Sequence, residues 1–326
     1  MRRPLALLAA VLAIAAAPAG AREPLDFDLT LLGAPDPSVW VNVAGASPAD
    51  AALLAGDSRV RFARLATDLA LAVTSSLLEP ASTTGATGFA FDLEAATTGA
   101  SPGVIGATPY PATGTAAFPR SYWPTRSLQP HDLLTPSLHV RKGFPFSTEL
   151  GGRFTYLSQS SLFAAQLEVK VALIEGYYAA PDVAVRAAWT KLLGQAALGL
   201  STTELDLLVS KRFGLNAVVA LTPYLAARYT LLSASTRTLS FGPDTLAAPG
   251  TPTGIQGSSA AFPDVSSSLY RTTLGVRLTS LAVSLAAEAT YFGGATLGKA
   301  SPGAGDYPRY KVPSSISGAF KLGFEF

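Results

Sequence analysis

The final residues of the chain, Ile316-Ser317-Gly318-Ala319-Phe320-Lys321-Leu322-Gly323-Phe324-Glu325-Phe326, constrain its fold more than any other stretch. One alternate set reads Ile316, Gly318, Phe320, Leu322, Phe324, Phe326; the other reads Ser317, Ala319, Lys321, Gly323, Glu325. Side chains of a strand point to opposite faces with period two. The segment is therefore a strand with one apolar face, one polar face and an aromatic at its last position.

The same period recurs from about residue 86 onward. Strands are expected near 86–95, 133–142, 147–157, 162–174, 182–191, 203–212, 221–232, 268–278 and 281–291, followed by the last one. The cleanest internal example puts Phe163, Ala165, Leu167, Val169 and Val171 on one face and Gln166, Glu168 and Lys170 on the other. An all-β fold follows, a transmembrane antiparallel up-and-down barrel of about ten strands within a range of about eight to twelve. An N-terminal extended or helical segment precedes it.

Composition supports that class. Charged residues make up 14% of the chain, against roughly 25% in soluble domains. Beyond the first residues no uninterrupted apolar run reaches the roughly 18 residues that mark a membrane-spanning helix. At the start, Arg2 and Arg3 precede an apolar run from Leu5 to Ala17, and Ala19-Gly20-Ala21 fits a small-residue cleavage site. Residues 1–21 are thus expected to be a secretory signal peptide, exported by the Sec route and cleaved after Ala21. The whole chain carries 24 basic and 22 acidic residues; loss of Arg2 and Arg3 leaves 22 against 22. A neutral chain argues against a nucleic-acid partner. There is no cysteine, hence no disulfide, no thiolate metal site and no lipid anchor on a cysteine.

Residues 22–85 form a separate N-terminal segment. Ser47 or Pro48 can start a helix near 48–78, in which Leu53, Leu54, Val60, Phe62, Leu65, Leu69, Leu71 and Val73 recur at loosely helical spacing. Two positions are open to it: packed on the periplasmic rim of the barrel, or plugging the lumen.

The connections give an independent check. The joins at about 96–132, 233–267 and 292–310 are long and rich in Gly, Pro, Ser and Thr, and all follow odd-numbered strands. Most short turns, at Gly143-Phe144-Pro145, Pro181-Asp182 and Ser280, follow even-numbered ones. With the signal peptide, the alternating strands and the terminal Phe326, residues 86–326 resemble a Gram-negative outer-membrane β-barrel protein of an uncharacterised, porin-like kind. The resemblance implies long loops outside and short turns in the periplasm, and contacts with outer-membrane lipids. It also implies a last strand read by the barrel-assembly machinery through Phe324 and Phe326. Lys321 stands where that signal carries a glycine, while Gly318 and Gly323 are off register, so the match is to the strand and its ending.

The polar faces carry balanced charge. Acids placed inward are Asp92, Glu94, Glu149, Glu168, Glu204, Asp206, Glu288 and Glu325; bases are Arg141, Arg153, Lys170, Arg186, Arg228, Arg271, Arg277 and Lys321. A base turned to lipid would cost about 2–4 kcal/mol near the midplane, so these are candidate lumen-facing residues. They form either a salt-bridged filling of a narrow barrel or a polar conduit; aqueous channels belong to barrels of about 16–18 strands. Tyr156, Tyr177, Tyr178, Trp189, Tyr229 and Tyr291 suit interfacial girdles. Catalytic chemistry is not expected. The two histidines, His131 and His139, offer no paired metal spacing. His131 beside Asp132 suggests an Asp–His base without further partners. No cofactor, metal or catalytic site is expected. The functions open to such a chain are porin-like transport of a small polar solute, or a structural or surface-display barrel whose loops bind an extracellular partner.

Overall fold

The computed structural model describes residues 23–44, 47–74, 76–99, 123–124, 132–177, 179–215, 218–242, 257–299 and 308–326. Residues 1–21, where a signal peptide is expected, and His131 and Tyr178 lie outside the described residues. The architecture is a closed antiparallel barrel of ten long strands. They are β1 (Phe89–Gly99), β2 (Asp132–Phe144), β3 (Thr148–Tyr156), β4 (Phe163–Ile174) and β5 (Asp182–Leu193). Then come β6 (Leu198–Ser210), β7 (Val219–Thr236), β8 (Val265–Ser280), β9 (Val283–Phe292) and β10 (Ser315–Glu325).

Each strand pairs with its chain neighbour, and β1 also pairs with β10, which closes the ring. At that seam Leu93 faces Leu322, and Phe89 and Phe326 exchange two backbone hydrogen bonds of 2.9 and 2.8 Å. A register slip of one residue would carry every charged side chain to the outside.

The polarity is the reverse of a soluble domain. Leu167 is 66% exposed on the outer face, whereas Arg186 is 0% exposed inside. Among the described residues no helix is long and apolar enough to cross a membrane; the strands do the crossing. The joins sort by end. Those after β2, β4, β6 and β8, together with the start of β1 and the end of β10, define a turn end; the remaining joins define a loop end. The join after β6 holds a two-residue strand, Phe213–Gly214, paired with Leu221 and Ala220. At the loop end Leu239–Phe241 pairs with Ser258–Ala260, and Ala295–Leu297 with Tyr310–Val312.

Two inner-face glycines make room for large neighbours. A Cβ on Gly275 would lie 2.2 Å from the Tyr224 ring, and one on Gly323 would lie 2.1 Å from the Asp92 carboxylate.

Ahead of the barrel come a 3-10 turn (Leu29–Leu32) capped by Asp28, helix α1 (Pro37–Ala44) and helix α2 (Pro48–Val73). Ser47 caps α2, its hydroxyl accepting from the Asp50 N–H at 3.2 Å, and Pro48 opens the first turn. The helix stops at Val73 rather than near residue 78. Thr74 closes it with its N–H on the Ala70 carbonyl, Arg228 and Arg271 take the Thr74 carbonyl, and Leu78 adopts φ 54°. The segment does not sit on the rim at the turn end. α2 lies in the loop-end mouth, where Phe62, Leu65, Ala66 and Leu69 share one apolar cluster with Leu133, Leu162, Leu192, Leu200, Leu232 and Val265 from the inner faces of the strands.

Candidate functional site: a charged lumen and the chain threaded through it

From the end of α2 the chain descends the interior in extended form, and its partners trace the descent. Arg228 and Arg271, on β7 and β8, donate to the Thr74 carbonyl at 2.9 and 2.7 Å. Two residues further along, Arg153 donates to the Ser76 carbonyl at 2.9 Å. The backbone N–H groups of Leu77 and Leu78 each donate to one oxygen of Glu288, both at 2.6 Å, and the Tyr224 hydroxyl adds a third donor at 2.8 Å. The left-handed turn at Leu78 is what lets two successive N–H groups converge on one carboxylate.

Next, Glu79 enters a cluster of wall cations. Its carboxylate lies 3.3 Å from Arg141 and also contacts Lys170. Below it, the Ala81 N–H donates to Ser210, Thr83 to Glu175, and the Thr84 N–H to Glu149 at 2.8 Å. The chain then turns at residues 85–88 into β1. Wall and thread thus exchange partners: the wall's Glu288 is satisfied by thread N–H groups, and the thread's Glu79 by wall cations.

The expected lumen candidates are buried within this ring, except Glu325, which is half-buried at the turn end. Glu149 pairs with Lys170 at 2.8 Å, and Arg153 with Glu94 at 2.9 Å. Arg186 pairs with Asp206 at 2.7 Å and with Glu168. Glu204 lies 3.0 Å from Arg228 and contacts Arg271; Arg277 meets Glu325 at 3.0 Å. Asp92 accepts from Arg141 at 2.8 Å, with Lys321 at 3.3 Å. His139 stands between Glu94 and Glu168, at 3.1 and 2.9 Å from its two ring nitrogens.

Ligand atoms of Asp92, Glu94 and His139 come within 4.8 Å of one another, the spacing of a metal site. Their chemistry fits an ion-pair network instead, because Arg141, Lys321 and Arg153 already supply the compensating positive charge. Higher up, in α2, Arg61 faces Asp57 at 3.9 Å, and burial lowers the arginine's pKa and raises the aspartate's.

Of the aromatic girdle candidates, Trp189 and Tyr291 are exposed on the outer surface and Tyr156 and Tyr229 are half-buried there, while Tyr177 is exposed in the β4–β5 turn. Tyr229 packs against Tyr270 with ring centroids 5.0 Å apart. Phe324 and Phe326 also face outward. Glu79 was not among the sequence candidates. Its signal was a lone acid set between Leu77-Leu78 and Pro80, outside every alternating strand.

No family model and no curated protein matches the chain. Among solved structures it is similar to Ail, the attachment invasion locus protein of Yersinia pestis, at 11% identity and TM-score 0.25 over 74% of this chain and 99% of that one. It is also similar to the translocator domain of the autotransporter NalP from Neisseria meningitidis, at 13% identity and TM-score 0.37 over 83% and 98%. For Neisserial surface protein A the values are 12% and 0.25, over 73% and 95%. The closed ring, its apolar outer wall and its ionic interior decide the class. The chain folds as a transmembrane β-barrel of the outer-membrane type.

Chemically, the interior of this barrel is a clamp. Each charge that faces inward meets an opposite charge or a backbone dipole, and several of those partners belong to the thread.

Proposed function

We propose that the protein is a closed outer-membrane barrel of a Gram-negative envelope whose working surface is its loop-end face. In this reading residues 1–21 direct Sec export with cleavage near Ala21, and Phe324 and Phe326 serve the barrel-assembly machinery. Lipids surround the wall, and the loops meet an extracellular partner. One observation carries the reading: residues 74–84 are hydrogen-bonded or ion-paired to β2, β3, β4, β6, β7, β8 and β9. A thread held from so many sides of the ring leaves no conduit. Breaking a buried pair by removing one partner costs about 3–5 kcal/mol, so withdrawal of the thread is expensive.

A second reading, porin-like transport of a small polar solute, is supported by a cavity of about 1050 Å³ at the turn end. Glu175, Lys211, Arg212, Arg277 and Glu325 line it. Transport through it would require the thread to move.

Planar-bilayer recording of the refolded chain separates the two. The proposal expects no steady conductance from residues 22–326, and steady conductance only when residues 22–80 are removed. Steady open-channel current from the full chain would overturn it in favour of transport.

A further inference from the structure

We infer that the barrel carries its own amino-terminal segment to the loop side of the membrane, so that residues 23–73 stand on the opposite side from the point where β1 begins. The inference rests on the reading above, in which the loop end faces outward. Its substance is the direction of the thread.

The strand β1 starts at the turn end, yet the chain just before it has come from the loop end. Thr74 is bonded by Arg228 and Arg271 in mid-barrel, Glu79 by Arg141 further down, and Thr83 and Thr84 by Glu175 and Glu149 at the turn end. The residues before the thread are anchored at the other extreme. The Leu25 N–H donates to the Gln159 carbonyl at 2.8 Å, and the Ser161 N–H donates to Asp26 at 2.6 Å, both in the β3–β4 loop. Phe62 of α2 stacks on Phe262 in the β7–β8 loop, with centroids 4.7 Å apart. The segment is no loose tail: Leu25, Leu29, Leu32 and Trp40 are buried, and Arg61 donates to the Leu32 carbonyl at 2.9 Å.

A folded α2 could not have reached this place through the finished barrel. A helix with side chains is about 10–12 Å across, whereas in the middle of the lumen Arg153 on β3 and Arg228 and Arg271 on β7 and β8 reach the same extended chain from opposite walls, at 2.9, 2.9 and 2.7 Å. Passage must therefore precede formation of that network and of the β1–β10 seam. The thread and β1 would enter together as a hairpin with its bend at residues 85–88. Folding of α2 in the loop-end mouth, with burial of its apolar face against the inner wall, then opposes return. The barrel's cargo in this account is its own chain.

The chain has no cysteine, so single cysteines report position cleanly. Asn42→Cys lies on the exposed side of α1, Ser259→Cys on the loop-end pairing, and Ala86→Cys at the turn end, and all three positions are exposed. Intact cells expressing each full-length variant are treated with a membrane-impermeant maleimide. Asn42→Cys and Ser259→Cys are expected to label on intact cells, and Ala86→Cys only after the outer membrane is disrupted. Ser38→Cys, exposed on the same helix, repeats the first reading and guards against one poorly folded variant. If Ser259→Cys labels while Asn42→Cys and Ser38→Cys do not, the inference is overturned and the orientation of the barrel stands. If Ala86→Cys labels while Ser259→Cys does not, the orientation itself is reversed and the inference falls with it.

Discussion

The loop-end and turn-end halves of the lumen are closed by opposite chemistry. In the loop-end half the inner faces of the strands are apolar, and they pack on a helix. In the turn-end half the inner faces are charged, and they grip an extended chain. The partner suits the wall in each case. A helix satisfies its own backbone and can offer an apolar stripe. An extended chain brings unpaired N–H and C=O groups, and charged side chains are what can satisfy them. Thus Glu288 takes two thread N–H groups, and Arg153, Arg228 and Arg271 take thread carbonyls. The apolar half stabilises by burial, and the ionic half specifies where the thread lies.

Substitutions can set the two halves apart. The largest effect is expected in the ionic half. Glu204→Ala would leave Arg228 and Arg271 without their shared carboxylate and should cost about 3–5 kcal/mol in urea unfolding of the refolded barrel. A loss below about 1 kcal/mol would mean that the network is wet and replaceable. Leu65→Ala empties part of the apolar half, where Leu65 is fully buried against α2's surroundings, and should cost about 2–5 kcal/mol. Limited proteolysis should then cut within residues 23–73 while the strands stay resistant; equal sensitivity of both would make the halves one cooperative unit.

Gly275→Ala tests the fit within the ionic half. Its new methyl meets the Tyr224 ring, and overpacking of about 1–3 kcal/mol is expected, read as a lowered urea midpoint. Ser47→Ala removes only the cap of α2 and should lower the stability of the helical half by about 1 kcal/mol. Amide exchange along α2 would show it, with the strands unaffected.

The wall was legible in the sequence because its period is short and its two faces differ. Asp92 against Leu93, Arg186 against Val185, and Lys321 against Leu322 each announce a side. The long joins after β1, β7 and β9 gave the two ends of the barrel. What sequence reading could not separate was the apolar half of the lumen. There, inward and outward residues are both apolar, as in Leu133-Leu134, Leu162-Phe163, Leu192-Leu193 and Leu231-Leu232, where Leu133, Leu162, Leu192 and Leu232 face inward. Alternation fades at those positions, and β6, β7 and β8 accordingly extend beyond the spans that the period alone marked. Such doublets at strand ends are the trace of a helix inside the mouth. Strand alternation marks only charges that lie on strands, so it does not reveal Glu79, which lies on no strand although it sits against Arg141 and Lys170.

The central claim is that the thread is locked inside the ring, and the amides of Leu77 and Leu78 report on it directly. Hydrogen exchange of the refolded full chain, resolved by NMR, should show both N–H groups protected to the same degree as the β9 amides that flank Glu288. Exchange as fast as in the β8–β9 turn at residues 281–282 would mean that Glu288 does not hold the thread, and that the lumen is open where this account closes it.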